Sequence, residues 1–542
     1  MDIKSLLTKN LPSTLKKPSS TLHYGTSGYR DIPSKLPISR TTLCAYMRSS
    51  TLAGKYIGIL LTASHNHARD NGIKLVDHNG EMFDHTWETI VNKIVNCEDN
   101  TFYSELNKVH RNYGNFRQFG DGPKANIMVG RDTRESGVKL VEEIVELMGN
   151  FNCSVVDYGV VSTPQLHYLV ACSNKLNMLV EKERYFDMFV DFIRFADLRE
   201  KVKVDTSNGV AGYVLSGINE RLCAVGYFDD GKETGSENTA KQFDDEKEHG
   251  SANACEKEHG TDMKQELFVI TNKDGEVNDR CGAQYIQYEK EVPCHLENAK
   301  GLYASFDGDM DRFIYFTVND GLTYMDGDRQ ASILVRYLSE KVNCRIGCVL
   351  SDYSNSAAVN YVGKYCEAVR VRTGIKNFIK KSKEYDIGVY NEPNGHGGIF
   401  FGKEDIGDEE INKIIEMYRD CVADPLANFL LLEYLRKTRP ALFEDTYVPF
   451  PSRMLQVSVA DPTVVVNSEN LDVLEPVALK NVIGNIMKNE KGKVFVRPSG
   501  TENVIRIFCE AKDNVDVMCL TVAQAVYDIC GGVGKHPEIS YV

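Results

Sequence analysis

Short apolar runs that end in polar turns, with helix-like stretches between them, recur along most of the chain. Strands that alternate with helices are typical of parallel sheets whose faces are covered by helices. The pattern therefore predicts repeated α/β units. The predicted strands are Ile57–Ala63, Ala125–Val129, Cys153–Tyr158, Lys201–Asp205, Gly301–Phe306, Arg345–Leu350 and Ile387–Tyr390, and the predicted helices include Gly137–Met148 and Asp328–Glu340.

The pattern changes near the C-terminus. Val494–Val496 and Val504–Glu510 alternate apolar and polar side chains, and a helix-like stretch, Val515–Ile529, follows them. Alternation of this kind indicates an antiparallel sheet with one buried and one solvated face. We therefore expect a smaller α+β domain at this end, in a chain of 542 residues that has room for roughly three or four domains.

Composition excludes several classes of protein. No run of 18 apolar residues occurs, and the N-terminus lacks an apolar signal core, so neither a membrane span nor secretion is predicted. The net charge of −14 argues against a nucleic-acid-binding surface. Fifteen cysteines without a CxxC pair indicate free thiols, and we expect a cytoplasmic protein.

The segment Asp229–Asp262 stands apart from the rest. It carries eleven acidic residues against four lysines and almost no large apolar side chains. Such a segment buries too little surface to offset its ordering entropy, which predicts a mobile, solvated insertion. A role as an acidic binding segment stays open.

The stretch LLTASHNHARDNGIKLV places Ser64 where an apolar run breaks into polar residues. Ser, Asn and Asp gather at caps and turns, so a structural role is one interpretation. A nucleophile is the other. A serine–histidine hydrolase pair with His65 is not supported, because adjacent side chains seldom face each other and no GxSxG elbow occurs.

Three carboxylates alternate in SFDGDMDRF, directly after a predicted strand. An extended loop there turns them towards one point, and such oxygen ligands suit Mg²⁺ or Ca²⁺. A calcium loop is excluded, because Arg312 stands where glycine is needed and Val318 where glutamate is needed. A metal site is the first interpretation, and a phosphatase with a DxD nucleophile is its rival. The candidate ligands are Asp307, Asp309 and Asp311.

The stretch VFVRPSGTENVIRIF predicts a tight polar turn between two strands. Glycine lets the backbone approach a ligand, hydroxyl and N–H groups donate to phosphate oxygens, and arginine adds forked donors. The turn therefore predicts a phosphate cradle. Its residues are Arg497, Ser499, Gly500, Thr501 and Arg506.

The stretch NEPNGHGG presents a carboxylate, an amide and an imidazole at alternate positions of a glycine-rich loop. Such groups hydrogen-bond the vicinal hydroxyls of a sugar in fixed geometry. Polar glycine-rich loops are common, so this motif alone is a weak signal. The candidates are Glu392, Asn394 and His396.

Four motifs occur in order along the chain: TASHN with DNGIKL, DGDMDR, NEPNGHGG and RPSGTE. Together they resemble the α-D-phosphohexomutase superfamily, and within it the phosphoacetylglucosamine mutase branch. YGTSGYR, VGRDTR, RTGIKNF and GGVGKHP extend the resemblance over nearly the whole chain. The resemblance implies three related α/β domains with mixed sheets and a smaller C-terminal α+β domain around a central cleft. The expected boundaries are 1–182, 183–315 with the insertion at 229–262, 316–440 and 441–542.

The resemblance also implies roles for the residues. Ser64 would carry a phosphoryl group, Lys74 would act as general acid or base with a lowered pKa, and Arg30 would lie near the reacting hydroxyl. One Mg²⁺ would be held by Ser64 and the three aspartates, with a hexose 1,6-bisphosphate as activator. The expected substrate-binding residues are Arg312, Thr373, Gly374, Glu392, Asn394, His396, Arg497, Ser499, Gly500, Thr501 and Arg506.

Glucose- and mannose-phosphate branches commonly show Ser-Gly-His where this chain has Asn394-Gly395-His396. The asparagine and the second glycine of NGHGG resemble the branch that interconverts N-acetylglucosamine 6-phosphate and 1-phosphate, in the synthesis of UDP-N-acetylglucosamine. Phosphoglucomutase or phosphomannomutase activity, a magnesium-dependent phosphatase and a non-catalytic binding homologue are the alternatives. His67 and Pro393 depart from the proline and alanine usual in the family. The expected partner is a small phosphosugar, and no binding to nucleic acid or to a membrane is expected. We expect the protein to be a monomer or a weak homodimer.

Overall fold

The computed structural model describes residues 7, 12–25, 27–114, 119–120, 122–228, 266–444, 446–468, 472–488, 492–499 and 503–538. The predicted insertion at 229–262 lies outside the described residues. In this part of the chain, no helix is long and apolar enough to cross a membrane.

The first sheet has five strands and mixes both directions of pairing. Three strands run parallel, and Asn71–Val76 pairs antiparallel with a neighbour on either side. The strand order is Tyr29–Asp31, Asn71–Val76, Tyr56–Leu61, Ala125–Arg131 and Cys153–Val160, and the helices of this region are Ile38–Thr51, His85–Asn96, Asp99–Gly114, Ser136–Met148 and Thr163–Leu176, with 3₁₀ turns at Ser13–Leu15 and Pro33–Lys35.

The second sheet also has five strands, and its central strand leads into the DGDMD loop. Gly301–Phe306 pairs parallel with one neighbour and antiparallel with the other. The order is Leu322–Met325, Phe313–Val318, Gly301–Phe306, Val202–Asp205 and Phe268–Ile270, accompanied by the helices Glu183–Ala196, Ala211–Ala224 and Ala283–Tyr288 and the 3₁₀ turn Cys294–Leu296.

The third sheet has four strands, and the hairpin between its last two carries the NEPNGHGG loop. The pairing is parallel except in that hairpin. The order is Glu367–Val371, Ile346–Ser351, Ile387–Asn391 and Gly397–Phe401, and the helices are Gly327–Lys341, Ser356–Val362, Ile375–Ser382, Glu409–Tyr418, Pro425–Thr438 and Ala441–Glu444.

The C-terminal domain is α+β, as the sequence predicts. Its three-stranded sheet is wholly antiparallel, in the order Ser452–Ser458, Val504–Ala511 and Gly492–Pro498. One face packs on helices around its own apolar cluster. The remaining elements are the ladder Val466–Asn467 with Val473–Glu475, the helices Val477–Met487 and Val515–Ile529, and the 3₁₀ turn Pro462–Val464.

The α/β expectation is confirmed, and each strand and helix predicted above agrees with the structure to within two residues at either end. The pattern does not assign the antiparallel strands of the first and third sheets. Asn71–Val76 is buried throughout, and so are the first three residues of Gly397–Phe401. Buried strands lack the alternation that marks a half-exposed strand, which is why the pattern does not reveal them.

The second and third sheets share one hydrophobic core. The helix Pro425–Thr438 lies in it, and the ring of Phe429 contacts the rings of Phe306 and Phe313 on either side of the DGDMD loop. The predicted boundary between 315 and 316 falls inside the strand Phe313–Val318, which stays paired in the second sheet. Packing therefore fixes the acidic loop relative to the elements that carry the NEPNGHGG loop.

Candidate active site

Ser64 lies in a tight turn after the strand Tyr56–Leu61. Its side chain is fully buried, and its backbone adopts the left-handed conformation with φ of 49°. Its N–H donates to the hydroxyl of Thr62 at 2.9 Å. A non-glycine residue in this conformation costs free energy, and such strain persists where surrounding contacts enforce it, often at functional sites.

Three groups converge on the Ser64 hydroxyl, and a fourth side chain holds one of them. Lys74 Nζ lies 2.9 Å and Arg30 Nη2 3.0 Å from Oγ, and Oγ donates to Asp309 Oδ2 at 3.0 Å. Thr163 Oγ1 donates to the same carboxylate oxygen at 2.6 Å. The structure therefore brings together three residues that the sequence predicted and one, Thr163, that it did not.

Two further side chains hold the Ser64 loop, residues 62–67, through its backbone. Asn278 Nδ2 donates to the carbonyls of Ser64 and Asn66 at 2.7 and 2.9 Å. Arg134 Nη2 donates to the same two carbonyls at 3.3 and 2.6 Å, and Asp132 pairs with its guanidinium. The VGRDTR motif contains Arg134 and Asp132, whereas no sequence signal identified Asn278.

Asp307, Asp309 and Asp311 lie together in the loop after Gly301–Phe306, as predicted. All three are buried, and an oxygen of each lies within 4.8 Å of the other two. The backbone N–H groups of Asp311 and Arg312 donate to Asp307 Oδ1 at 3.0 and 3.1 Å, which fixes the turn. The loop is therefore shaped by its own carboxylate.

The three aspartates fit a divalent cation. Among the described residues, Asp307 Oδ2, Asp309 Oδ1 and Asp311 Oδ1 are buried and have no hydrogen-bond partner. Buried carboxylate oxygens without a hydrogen bond are costly, and hard cations such as Mg²⁺ satisfy them. Burial and the other two carboxylates raise the pKa of Asp307 well above its usual value. A cation at this point would remove both penalties.

The lowered pKa expected for Lys74 is wrong for this arrangement. Burial lowers its pKa, but the charges of Asp309 and Asp311 outweigh burial and raise the pKa above its usual value. Their oxygens lie 2.7 and 3.1 Å from Nζ. The expectation failed because it counted neighbouring cations and omitted the two carboxylates. Lys74 therefore carries its proton at neutral pH.

A cavity of about 280 Å³ opens beside this cluster. Arg30, Lys74, Asp311 and Arg312 line one side, and Arg312 Nη1 donates to Gln284 Oε1 at 2.8 Å. The predicted residues Thr373, Gly374, Glu392, Asn394 and His396 also line it, with Ser27, His65, Met82, Thr163, His167, Gln284, Tyr288, Ile375, Val422 and Ala423.

The loop of residues 392–396, called here the Glu392 loop, is held by hydrogen bonds that its side chains accept. Glu392 Oε1 accepts from the N–H of Gly374 at 3.0 Å, and Asn394 Oδ1 accepts from the N–H of His396 at 3.0 Å. Gly395 has φ of 85°, and a Cβ on it would lie 2.0 Å from the carbonyl oxygen of Phe313. The glycine is therefore required for the loop to reach the acidic loop.

Pro393 and His67, which depart from the family pattern, have different surroundings. The carbonyl of Pro393 accepts from Gly327 N at 3.0 Å and from Gln287 Nε2 at 2.8 Å, which ties the Glu392 loop to two helices. The side chain of His67 is exposed. Nothing in the structure explains the choice of histidine there.

Among the described residues of the predicted phosphate cradle, Arg497, Ser499 and Arg506 do not line the cavity. Arg497 and Arg506 face each other across paired strands, and the Arg497 guanidinium lies 5.8 Å from the ring centre of Tyr353. The N–H of Ser499 donates to the carbonyl of Val504 at 2.9 Å. Gly500 and Thr501 lie outside the described residues. The predicted phosphate cradle therefore remains a prediction.

Comparison with known proteins gives consistent results. Residues 34–102 and 107–178 match the model for the phosphoglucomutase/phosphomannomutase alpha/beta/alpha domain I, and residues 456–523 match the C-terminal domain of the same family. Residues 326–439 match the model for phosphoacetylglucosamine mutase AMG1, domain III.

Whole-chain similarity extends this result. A protein of Encephalitozoon cuniculi named "Probable phosphoacetylglucosamine mutase" is 37% identical, over 97% of this chain and 98% of its own. The Aspergillus fumigatus N-acetylphosphoglucosamine mutase, solved in complex with GlcNAc-6P and magnesium, is 25% identical, with a TM-score of 0.77 and coverage of 97% and 99% of the two chains. A variant of that enzyme in complex with glucose 1,6-bisphosphate is 26% identical, with a TM-score of 0.74 and coverage of 95% and 97%. This chain belongs to the phosphoacetylglucosamine mutase family, within the α-D-phosphohexomutase superfamily.

Proposed function

We propose that this protein interconverts N-acetylglucosamine 6-phosphate and N-acetylglucosamine 1-phosphate through a phosphoserine at Ser64. One observation carries the proposal: Ser64 Oγ lies within 3.0 Å of a lysine, an arginine and a buried carboxylate, next to a cavity lined by a polar loop. The Aspergillus relative, solved with GlcNAc-6P and magnesium, supports the choice of substrate and ion.

The proposed reaction has two equivalent halves. Phosphorylated Ser64 gives its phosphoryl group to the free hydroxyl of the bound monophosphate, and a 1,6-bisphosphate forms. The bisphosphate turns over in the cleft and returns its other phosphoryl group to Ser64, which leaves the isomer. Covalent storage on Ser64 divides one difficult transfer into two easier ones. A hexose 1,6-bisphosphate would therefore activate the enzyme by phosphorylating Ser64, and the Aspergillus complex with glucose 1,6-bisphosphate supports this role.

Lys74 is placed to move the proton. Its protonated amine lies 2.9 Å from Ser64 Oγ and can give a proton to that oxygen as the phosphoryl group leaves. The amine then takes the proton that the attacking hydroxyl loses, so the lysine ends each half-reaction protonated. Arg30, 3.0 Å from Oγ, would stabilise charge on the moving group.

Ser64, Asp307, Asp309 and Asp311 would hold one Mg²⁺ by oxygen atoms. When bound, the ion would neutralise charge that develops on the transferring phosphoryl group. Local cations matter here because the chain has a net charge of −14 and its substrate is an anion. Two unit charges about 5 Å apart repel by roughly 3 kcal/mol at an effective dielectric constant near 20.

Each domain would supply one part of this site. We assign the Ser64 loop to the first domain, 1–182, and the aspartates to the second domain, whose boundary we move past Met325. The third domain supplies the Glu392 loop with Thr373 and Gly374. The fourth domain binds the phosphate group of the substrate. Arg312 would face the substrate. The fourth domain's residues are Arg497, Ser499, Gly500, Thr501 and Arg506.

We further propose that the protein works in the cytoplasm as a monomer or weak homodimer. Thirteen of the described cysteines, Cys223 aside, are free thiols, as cysteines in a reducing compartment are. Size-exclusion chromatography with light scattering would test the oligomeric state.

The activity test supplies Mg²⁺, a catalytic amount of hexose 1,6-bisphosphate and one hexose 6-phosphate at a time, and it quantifies 1-phosphate and inorganic phosphate. We expect N-acetylglucosamine 6-phosphate to be converted fastest. Faster conversion of glucose 6-phosphate would reassign the substrate, and inorganic phosphate as the main product would indicate a phosphatase. Ser64→Ala should abolish transfer. Ser50→Ala, which alters a buried serine in the helix Ile38–Thr51, serves as the matched control.

A further inference from the structure

One face of the sheet in the C-terminal domain carries an ordered set of side chains. The strands Gly492–Pro498 and Val504–Ala511 pair in antiparallel register, so alternate residues of each strand lie on the same face. The opposite face packs on the apolar cluster of this domain. Three cross-strand pairs follow one another on the first face: Lys493 with Glu510, Phe495 with Phe508, and Arg497 with Arg506. The two arginines that are expected to bind phosphate therefore share a face with an aromatic pair and with a buried lysine and glutamate.

A loop of the third sheet lies on this face. It comprises residues 352–356 and is called here the Tyr353 loop. Lys493 Nζ donates to the carbonyl of Asp352 at 2.7 Å, at the start of the loop. The N–H of Ser356 donates to Glu510 Oε1 at 2.9 Å, at its end. The first cross-strand pair thus holds the backbone of the loop at both ends.

The ring of Tyr353 lies on the middle of the same face. Its centre is 5.6 Å from the ring centre of Phe495 and 5.9 Å from that of Phe508, and both contacts are edge-to-face. The Arg497 guanidinium lies 5.8 Å from the centre of the Tyr353 ring, within the range of a cation–π contact. The tyrosine therefore packs on the aromatic pair and contacts one arginine of the next pair.

The Tyr353 loop also adjoins the cavity beside Ser64. The N–H of Asp352 donates to the carbonyl of Val371 at 3.0 Å. Val371 is the last residue of its strand, and Thr373 and Gly374, which line the cavity, follow directly in the chain. The loop therefore connects the sheet of the C-terminal domain to the cavity wall through a few backbone contacts.

We propose that the Tyr353 loop sets the position of the two arginines relative to the cavity, and that Tyr353 is a positioning residue whose ring holds the Arg497 guanidinium for the phosphate group of the substrate. The inference rests on the proposed function, in which Arg497 and Arg506 bind that phosphate group. A free arginine side chain has many rotamers, and a ring against its guanidinium restricts them. Less conformational entropy is then lost when the phosphate group binds. Tyr353 therefore acts on substrate affinity and not on the transfer step.

The test is a double-mutant cycle on the affinity for N-acetylglucosamine 6-phosphate. Calorimetric titration of the unphosphorylated enzyme, with Mg²⁺ and without a bisphosphate, measures Kd in the absence of turnover. We expect Tyr353→Leu, which keeps an apolar side chain against the two phenylalanines, to raise Kd about threefold to fivefold. In an Arg497→Ala background the same substitution should change Kd by less than about 1.5-fold, because the ring then has no guanidinium to hold.

Two further variants separate positioning from stability. Tyr353→Phe keeps the aromatic ring and should recover most of the affinity that Tyr353→Leu loses. Tyr365→Ala removes a half-buried tyrosine from the same part of the chain, whose ring contacts Tyr361, and it should leave Kd unchanged. The kcat of Tyr353→Leu at saturating sugar should stay within about twofold of the wild type, since a loss of uniform binding raises KM alone.

Losses of affinity that add in the double mutant would overturn the inference, and so would a wild-type Kd for Tyr353→Leu. A Kd for Tyr353→Phe as high as that for Tyr353→Leu would likewise exclude the ring as the cause. A wild type that shows the expected coupling in Kd but does not convert the sugar would refute the proposed reaction while supporting the role of Tyr353. The two failures are therefore distinguishable.

Discussion

Asn278→Ala provides the most direct test of how the Ser64 loop is held. The Asn278 amide donates to the carbonyls of Ser64 and Asn66 at 2.7 and 2.9 Å. Its own Oδ1 accepts from Ser207 Oγ at 2.7 Å, so the amide is oriented from the far side. Removing the side chain breaks both bonds to the loop and leaves the hydroxyl of Ser64 chemically unchanged.

The expected magnitude follows from the number of bonds. Each hydrogen bond between neutral groups contributes about 0.5–1.5 kcal/mol net. Arg134 still donates to both carbonyls, so neither is left bare. The loss of stabilising free energy is therefore about 1–3 kcal/mol. Because the Ser64 backbone is strained, we expect the weakened loop to displace Oγ from its position. If that loss appears in the transition state, the transfer rate falls roughly 5- to 150-fold.

Asn208→Ala is a matched control. Asn208 and Asn278 both adopt left-handed backbone conformations, with φ of 50° and 62°, so alanine imposes the same kind of strain at each position. The Asn208 amide donates to the carbonyl of Glu276 at 3.1 Å and does not contact the Ser64 loop. A difference in transfer rate between the two variants therefore reports the side-chain bonds of Asn278, two to the loop and one from Ser207, and not backbone strain.

The assay mixes phosphorylated enzyme rapidly with N-acetylglucosamine 6-phosphate and follows loss of the phosphoserine in a single turnover. Urea unfolding of each variant accompanies it, so that a change in the free energy of unfolding is measured separately. A transfer rate for Asn278→Ala within twofold of that for Asn208→Ala would refute the reasoning.

Three further changes have defined outcomes. Ser64→Ala should shift the midpoint of urea unfolding no more than a mild core substitution does, while phosphotransfer falls to background. Retained transfer would exclude the phosphoserine. Gly395→Ala should lower the free energy of unfolding by about 2 kcal/mol or more, since its Cβ would lie 2.0 Å from the carbonyl oxygen of Phe313, and a wild-type urea curve would contradict that contact. Burial raises the pKa of Asp424 to about 6 from 3.8, so it stabilises the fold below about pH 4 and loses about 3 kcal/mol of that contribution as pH rises through 6. Asp424→Asn should therefore flatten the decline in stability between pH 4 and 7, and an unchanged slope in urea titrations would show that this carboxyl does not titrate there.

The parts of the site that lie within one loop could be predicted from the sequence. The strand before Asp307, Asp309 and Asp311 ends at Phe306 as predicted, and the three carboxylates converge. They do so in a turn, with Met310 at φ of 57° and two backbone N–H groups donating to Asp307 Oδ1, and not in the extended loop that the sequence predicts.

Part of the Glu392 loop is equally local, since the N–H of His396 donates to Asn394 Oδ1 and Gly395 supplies a left-handed backbone. The bonds from Gly374 and Gly327 come from other segments of the chain, and the motif does not indicate them.

The remaining parts depend on packing between distant segments. Asn278 is 214 residues from Ser64 in the sequence, and it reaches the loop only because the second sheet docks beside the first. Thr163 contacts Asp309 across 146 residues for the same reason. Neither residue type has a pattern that distinguishes it from an ordinary polar residue at a turn. The pKa of Lys74 belongs to this class too, because its direction depends on which carboxylates fold against the amine.

The charges around Ser64 explain why its phosphate and the cation belong together. Three carboxylates lie within 4.8 Å of one another, and three cationic side chains, Arg30, Lys74 and Arg312, lie beside them, so the protein's own formal charges cancel. A phosphoryl group on Ser64 would add a charge of about −1.5 to −2, which one divalent cation balances. Without that cation, burial and its two neighbours raise the pKa of Asp307, so that this carboxyl tends to keep a proton. An empty metal site and a phosphoserine without a cation thus each cost electrostatic free energy. Both costs fall when the cation and the phosphoryl group are present together.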